Sequence, residues 1–179
     1  MAVLEILTAP HPNLEVKTRP VDEAEFGPAL QKLCSDMAET MYAAPGVGLA
    51  GPQVGDTRQI IVLDPGEKEE RGRRFFTLIN PAILEKSRET IQWNETCLSV
   101  PDLECDTTRA RRIRMGWRNP DGSRHEGWFE EYEAVIVQHE LDHLAGTVLL
   151  DRVSLFKRSR YLKKVRARAQ RERALAGPG

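Results

Sequence analysis

Apolar residues near the start of the chain recur at helical spacing between residues 24 and 42. They are Phe26, Leu30, Leu33, Cys34, Met37 and Met41. Because residues three and four apart share one face of a helix, this spacing predicts an amphipathic helix over residues 24–42. Pro45 and Gly46 follow the pattern, and both are typical of the turn after a helix.

The middle of the chain has the shorter period of β-strands. Four runs rich in apolar, β-branched or aromatic positions lie at residues 59–63, 75–79, 111–117 and 123–129. Asn80-Pro81 predicts the end of the second run. Asn119-Pro120-Asp121-Gly122 predicts a tight turn between the last two runs, which therefore form a hairpin with one solvent-facing side.

Residues 130–145 return to helical spacing. Tyr132, Val135, Ile136, His139 and His143 fall on one face, and the remaining faces are also largely apolar. A helix that is apolar on nearly every side is buried. The acidic residues in the first turn favour the predicted start of this helix. The glycine after residue 145 favours its predicted end.

The last elements complete the predicted architecture. Residues 147–150 resemble a strand, and Ser154 is a suitable N-cap for a final helix that ends near Ala174. These elements predict an α+β fold with antiparallel β-sheets around the central buried helix, followed by a C-terminal basic helix at about residues 154–174. We expect residues 1–179 to form one catalytic domain.

Composition narrows the class of protein. The chain has 179 residues, 40% of them hydrophobic, which is enough for one core without disulfides. Three scattered cysteines fit reduced thiols in the cytoplasm better than a secreted disulfide framework. No apolar run approaches the roughly 20 residues that span a bilayer. We therefore expect a cytoplasmic protein with no membrane partner.

The net charge of −1 conceals an uneven distribution. Between residues 157 and 179, nine Lys and Arg residues accompany a single acidic residue. The rest of the chain is therefore acidic and the final helix basic. A helix whose charges are nearly all positive is commonly just a solvated surface, but it can also bind a polyanion such as RNA.

The segment His139-Glu140-Leu141-Asp142-His143 is the strongest chemical signal. Two histidines four residues apart lie one above the other on a helix, so both imidazoles can bind one metal ion. Glu140 lies beside them as a candidate general base. On an exposed helix these would be ordinary polar surface residues. This helix is predicted to be buried, and burying two imidazoles and a carboxylate without a metal ion would cost free energy. The motif therefore indicates a metal site.

A hydrolytic metal site needs a third protein ligand. Zinc endopeptidases with this motif take it from a later His or Glu, whereas residues 146–179 contain no histidine and few acidic residues. Cys97, which follows a strand-like segment, is the best upstream candidate. We interpret Cys34 and Cys105 as small buried apolar residues.

The segment Gly46-Val47-Gly48-Leu49-Ala50-Gly51 matches the letters of a dinucleotide-binding fingerprint. That fingerprint needs a strand before it and a helix after it, and neither is predicted here. The glycines instead allow the backbone to pass close to a substrate. Gln53 offers an amide donor next to them.

Three segments together resemble the signature motifs of the peptide deformylase family. They are Gly46-Val47-Gly48-Leu49-Ala50-Gly51-Pro52-Gln53, Glu95-Thr96-Cys97-Leu98-Ser99 and Gln138-His139-Glu140-Leu141-Asp142-His143. The resemblance covers nearly the whole chain. Two positions depart from the usual pattern: Gly51 stands where the family has alanine, and Thr96 stands where it has glycine.

This resemblance implies both an activity and residue roles. The activity is metal-dependent removal of the N-formyl group from N-formylmethionine at the N-terminus of nascent polypeptides, with release of formate. The implied metal ligands are Cys97, His139 and His143, around one divalent ion, Fe²⁺ in the cell, with Zn²⁺, Ni²⁺ or Co²⁺ as substitutes. Glu140 is the implied acid and base, and Gln53 and the Leu98 N–H are the implied oxyanion donors.

The expected substrate pocket lies on the two elements that flank the metal. Its walls are Val47, Gly48, Tyr132, Val135 and Ile136, although ordinary core packing would also explain the apolar members. The expected partners are formyl-methionyl nascent peptides and, through the basic helix, ribosomal RNA. Two other hypotheses are a metal-dependent endopeptidase and a noncatalytic ribosome-binding or RNA-binding module.

Overall fold

A computed structural model describes residues 2–66 and 70–176, and the side chains of Glu172, Arg173, Leu175 and Ala176 lie outside the described part. It contains three α-helices and seven strands within those residues. The helices are α1 (Pro28–Ala43), α2 (Glu131–Leu144) and α3 (Leu155–Ala176). The strands are β1 (Gly48–Ala50), β2 (Ile60–Leu63), β3 (Phe76–Lys86), β4 (Thr90–Thr96), β5 (Glu104–Ala110), β6 (Arg112–Arg118) and β7 (Arg124–Glu130).

The strands form two antiparallel sheets. The larger has the order β1-β2-β3-β6-β7, and the smaller pairs β4 with β5. In the hairpin of β6 and β7, Ile113 lies opposite Phe129, and both side chains are buried in the core. This arrangement confirms the predicted α+β class with antiparallel sheets.

Helix α2 packs among these strands, with contacts to β1, β2, β5, β6 and β7. Most of its side chains are buried, including Ala134, Val137 and Leu144, which belong to the main hydrophobic core. Burial of several such side chains, at roughly 1.5–3 kcal/mol for each large one, fixes the helix firmly. Polar groups on α2 are therefore held in fixed positions.

Two predicted boundaries and one predicted strand are wrong. The first helix begins at Pro28, and residues 23–25 form a separate 3₁₀ turn. Gly27 precedes Pro28 with an extended backbone, and proline is favoured at the first position of a helix because its missing N–H costs nothing there. The helix therefore does not include residues 24–27, which the sequence pattern predicts as its first turn.

The second strand does not stop at Asn80-Pro81, because β3 continues to Lys86. Its pairing with β6 shifts register between Ile79 and Ala82, and Asn80 has a φ of 51°. A bulge of this kind accommodates a proline, which cannot donate a ladder hydrogen bond. Near the C-terminus, the strand expected at residues 147–150 is absent, and Leu149–Arg152 form a 3₁₀ turn instead.

The last helix begins after Ser154, whose Oγ accepts a hydrogen bond of 3.3 Å from the Lys157 N–H. The apolar residues of this helix are buried to different extents. Leu155 is 84% exposed, whereas Tyr161 is buried and Leu162 packs against the same cluster. The first turn of the helix therefore projects beyond the core, and the residues that anchor the helix begin at Tyr161.

Candidate active site

Helix α2 brings three polar side chains to one place. His139 and His143 lie one turn apart, with ring centroids separated by 5.2 Å, and Glu140 lies next to His139 in the chain. All three are buried or nearly so. The helical spacing therefore produces the juxtaposition that the sequence motif predicts.

Cys97 completes a three-residue cluster from a different element. It follows β4 directly, and its Sγ lies 3.3 Å from Nε2 of His143. One ligand atom from each of Cys97, His139 and His143 falls within 4.8 Å of the others. A thiolate with two imidazoles is a donor set suited to Fe²⁺, Co²⁺, Ni²⁺ or Zn²⁺. These residues therefore fit a divalent transition-metal ion.

Burial controls the protonation of the groups around this cluster. It lowers the pKa of His143 to about 3, so that the imidazole is neutral at pH 7 and keeps a lone pair for a metal ion. It also raises the pKa of Glu140 to about 7. Oε2 of Glu140 is buried and has no hydrogen-bond partner among the residues that the structure describes. A carboxyl group of this kind is suited to gain and lose a proton near neutral pH.

The buried ion pair of Glu95 and Arg109 orients His139. Nδ1 of His139 lies 2.6 Å from Oε2 of Glu95, so the ring N–H points at the carboxylate and Nε2 is left for the cluster. Arg109 donates to both oxygens of Glu95, at 2.7 and 2.9 Å. Burial alone would raise the pKa of Glu95, but hydrogen bonds from Arg109, His139 and Thr107 outweigh it and lower the pKa to about 2. Glu95 therefore remains a carboxylate.

Gln53 lies next to the cluster, on the short 3₁₀ turn that follows β1. Its Oε1 accepts a hydrogen bond of 2.8 Å from the Ala50 N–H, which fixes the orientation of the amide. Its Nε2 donates to Oγ of Ser99 at 3.1 Å and lies 3.9 Å from Sγ of Cys97. Because an amide nitrogen carries two hydrogens, the bond to Ser99 leaves one directed toward the cluster.

These groups line a cavity of about 440 Å³. Its lining includes all but one of the predicted site residues, namely Val47, Gly48, Gln53, Cys97, Leu98, Tyr132, Val135, Ile136, His139 and Glu140. His143 is the exception, although it contacts Cys97, which does line the cavity. A cavity of this volume, apolar on several sides with a few convergent polar groups, has the character of a small-molecule or peptide-end site.

Comparison with known proteins identifies the family. The model of the polypeptide deformylase family matches residues 3–159. A peptide deformylase from Hyphomonas neptunium is 43% identical over 178 residues, covering 97% of this chain and 99% of its own length. The crystal structure of a peptide deformylase from Ehrlichia chaffeensis has 34% identity and a TM-score of 0.86, over 96% of this chain and 99% of that one. The chain belongs to the polypeptide deformylase family.

Family membership makes this chain a metal-dependent hydrolase that acts on the N-formyl group of nascent peptides. A second solved relative, the peptide deformylase from Legionella pneumophila, has 31% identity and a TM-score of 0.84 over 99% of this chain. None of the helices in the described ranges is both long and apolar enough to cross a bilayer.

The two departures from the usual deformylase motifs have local explanations. A Cβ at Gly51 would lie 2.8 Å from the carbonyl oxygens of both Asp56 and Arg58, so the backbone here is too close for alanine. Thr96 is the last residue of β4, where an extended backbone suits a β-branched residue. Its side chain is exposed at the rim of the cavity. Neither change removes a polar group from the cluster.

The glycine at position 48 is required by a close approach. A Cβ built there would lie 2.9 Å from Cδ of Glu140 and closer still to one carboxylate oxygen. Gly48 is also part of β1, at the edge of the larger sheet. The glycine therefore allows the edge strand to lie directly against the acidic group of the site.

Sequence reasoning missed the residues that support the cluster. Arg109 binds Glu95 from β5 and also donates to Oδ2 of Asp142 at 2.7 Å, and Asp142 is held in turn by Arg152. Ser99 lies within a recognised motif, but its bond to Gln53 joins positions 46 residues apart. For Arg109 the available signal was weak, because β5 has only small or polar inward residues and was not predicted as a strand.

We expect replacement of Arg109 with methionine to lower the free energy of unfolding by about 3–5 kcal/mol, because the variant leaves the buried Glu95 carboxylate without its cation. The affinity for the metal ion should also fall, by about 10–100-fold, because Glu95 orients His139. Urea denaturation and metal titration measure the two effects. Arg111→Met is the matched control, since Arg111 pairs with Glu131 at the surface and its loss should cost no more than about 1 kcal/mol. Equal losses in the two variants would contradict the role assigned to Arg109.

Proposed function

We propose that this chain releases formate from N-formylmethionine at the start of nascent polypeptides, using one metal ion held by Cys97, His139 and His143. The observation that carries the proposal is the carboxyl group of Glu140. It is buried, has a raised pKa and lies beside three ligand atoms grouped within 4.8 Å. That combination suits hydrolysis of a small acyl group by an activated water molecule.

The ion proposed for the cell is Fe²⁺, with Zn²⁺, Ni²⁺ or Co²⁺ as substitutes. One thiolate and two imidazoles accept all four of these ions, and three protein ligands leave coordination positions for water and substrate. When bound, such an ion supplies the Lewis acidity that makes water a nucleophile at neutral pH.

Glu140 moves the protons in the proposed reaction. Its carboxylate accepts a proton from the attacking water molecule and delivers it to the nitrogen that leaves the formyl carbon. The new amino terminus then departs as a neutral amine, which is a far better leaving group than an amide anion. A pKa near 7 serves both transfers, because the group is neither too weak a base nor too weak an acid.

Gln53 and the backbone N–H of Leu98 are the proposed donors to the formyl oxygen. As the formyl carbon becomes tetrahedral, negative charge gathers on that oxygen, and hydrogen-bond donors fixed beforehand stabilise it. The amide of Gln53 is held by Ala50 and Ser99, so it needs no reorientation. Removing one such donor costs about 10²–10³ in kcat in comparable oxyanion sites.

The methionine side chain is proposed to enter the apolar part of the cavity. Val47, Gly48, Tyr132, Val135 and Ile136 line it. Val135 and Ile136 are buried residues of α2, the helix that carries the cluster, so side-chain binding would place the formyl group beside the polar residues.

The direct test compares three substrates with protein purified without oxygen. Formyl-Met-Ala-Ser should release formate, acetyl-Met-Ala-Ser should react far more slowly, and a peptide blocked at both ends should not be cut internally. Internal cleavage would support the endopeptidase hypothesis. Absence of formate release by metal-loaded protein would overturn the proposed function.

We infer that residues 1–179 act as one catalytic domain in the cytoplasm. The family match over residues 3–159 supports the first point. The three cysteines are all free and buried, which is consistent with a reducing compartment. Nascent chains that carry formyl groups emerge from ribosomes in the same compartment.

We propose that α3 contacts ribosomal RNA through its basic face. Arg160, Lys163 and Arg166 are exposed and recur every three residues, so they follow one side of the helix. Replacing all three with glutamine should weaken co-sedimentation with ribosomes. It should also reduce the slope of log affinity against log salt concentration by about 2–3, because each lost phosphate contact removes about one released counterion.

Substitution is preferable to truncation for this test, because Tyr161 on the same helix is buried in the core. The control replaces three exposed cations outside α3, Lys17, Arg88 and Arg124, with glutamine. The total charge change is identical in the two triple variants. Equal loss of ribosome binding in both would show a general charge effect and contradict a specific role for α3.

A further inference from the structure

Trp93 and Tyr132 form an aromatic pair in the cavity. Their ring centroids lie 4.9 Å apart and their planes are inclined by 27°, which is a stacked arrangement. Both residues line the cavity that contains Cys97, His139 and Glu140. Trp93 is 37% exposed although its ring is large and apolar. The pair is therefore a surface that a bound side chain can contact.

The pair is one of the side-chain contacts that join β4 to α2. Alternate residues of a strand share one face, so Trp93 and Glu95 point the same way. Tyr132 and His139 lie seven residues apart on α2, which is two helical turns on the same side. Glu95 contacts His139, and Trp93 contacts Tyr132 two turns earlier. The aromatic pair consequently marks the end of the cavity remote from His139.

We propose that Trp93 is a specificity-determining residue that favours a thioether side chain over a hydrocarbon of the same length. This inference rests on the proposed function, because it assigns the first side chain of the formylated peptide to the cavity. Val135 and Ile136 line the cavity on the same face of α2 as Tyr132. A side chain that reaches past them meets the aromatic pair with its outer atoms.

The physical basis is the contact between sulfur and an aromatic ring. Methionine and norleucine have nearly the same length and shape, and a purely aliphatic pocket distinguishes them little. The polarisable sulfur of methionine gains additional attraction at about 5 Å from a ring. A wall made by Trp93 and Tyr132 therefore favours methionine, and replacing Trp93 with an aliphatic residue removes much of that preference.

The test measures kcat/KM for formyl-Met-Ala-Ser and formyl-norleucyl-Ala-Ser. The unchanged protein should prefer the methionine peptide by about two- to tenfold, the range that a sulfur–aromatic contact provides. Trp93→Leu should bring the ratio close to one, and Trp93→Phe should restore part of it. Binding of the products Met-Ala-Ser and norleucyl-Ala-Ser, followed by calorimetry, should show the same trend without turnover.

Trp128→Leu is the matched control, because Trp128 is an exposed tryptophan on β7 that stacks with Arg112 and does not line the cavity. It should leave the ratio unchanged. A ratio near one in the unchanged protein, or an unaltered preference in Trp93→Leu, would overturn the proposal. Failure of the unchanged protein to hydrolyse either formyl peptide would instead overturn the proposed function.

Discussion

Replacing Glu140 with glutamine should lower kcat/KM for a formyl-Met peptide by about 10²–10⁴ and leave the metal ion bound. Glutamine keeps the shape of the side chain but cannot accept or deliver the proton. Glu140 is not one of the three grouped ligand atoms, so metal content should stay at that of the unchanged protein. Formate release and elemental analysis of the same sample measure both quantities.

The matched control is Glu133→Gln, two turns earlier on α2. Glu133 is half-buried, pairs with Arg74 at 2.7 Å and lies outside the cavity lining. It should retain activity within a few-fold. If Glu140→Gln purified without metal, or if it worked as fast as the Glu133 variant, then Glu140 would not be the group that moves protons.

Replacing Cys97 with alanine should remove the metal ion and reduce formate release to background. Loss of a partner that only orients a ligand weakens metal binding by about 10–100-fold, so loss of a ligand itself should exceed that range. Competition with a chelator of known affinity measures the change.

Cys105→Ala provides the comparison for this variant. Cys105 is also buried, in the cluster that contains Val100 and Leu149. Its replacement should cost a little stability but leave one metal ion per chain. Should both cysteine variants bind the ion equally well, Cys97 would be excluded as a ligand.

The parts of the fold that the sequence predicts are those with strong local patterns. Helix α2 has helical apolar spacing over its whole length, and its ends differ by one residue from those predicted. The hairpin of β6 and β7 was evident from its alternating residues and its turn. The spacing of His139 and His143 is also a local property, and so their proximity could be predicted from the helix alone.

The parts that could not be predicted depend on contacts between distant segments. In β5 the buried positions are Cys105, Thr107 and Arg109, so its inward face carries no run of large apolar residues. Arg109 is stable there only because it pairs with Glu95, and no local sequence pattern indicates that these two residues pair. The bulge at Asn80 likewise depends on pairing with β6, because locally Asn80-Pro81 resembles the end of a strand.

The resemblance to deformylases identified the three motifs, but the orientation of their side chains came from the structure. Gln53 is directed by Ala50 and Ser99, and His139 is directed by Glu95. These supports fix the site before a substrate arrives, which is the condition for efficient stabilisation of developing charge.

Anomalous X-ray diffraction from crystals of the nickel-loaded protein, recorded on both sides of the nickel absorption edge, tests the central claim most directly. We expect one strong anomalous peak per chain, bonded to Sγ of Cys97 and to one nitrogen each of His139 and His143, with the carboxyl group of Glu140 nearby but not bonded. A peak at any other group of residues, or a peak that persists unchanged in Cys97→Ala crystals, would contradict the assignment of this cluster as the catalytic metal site.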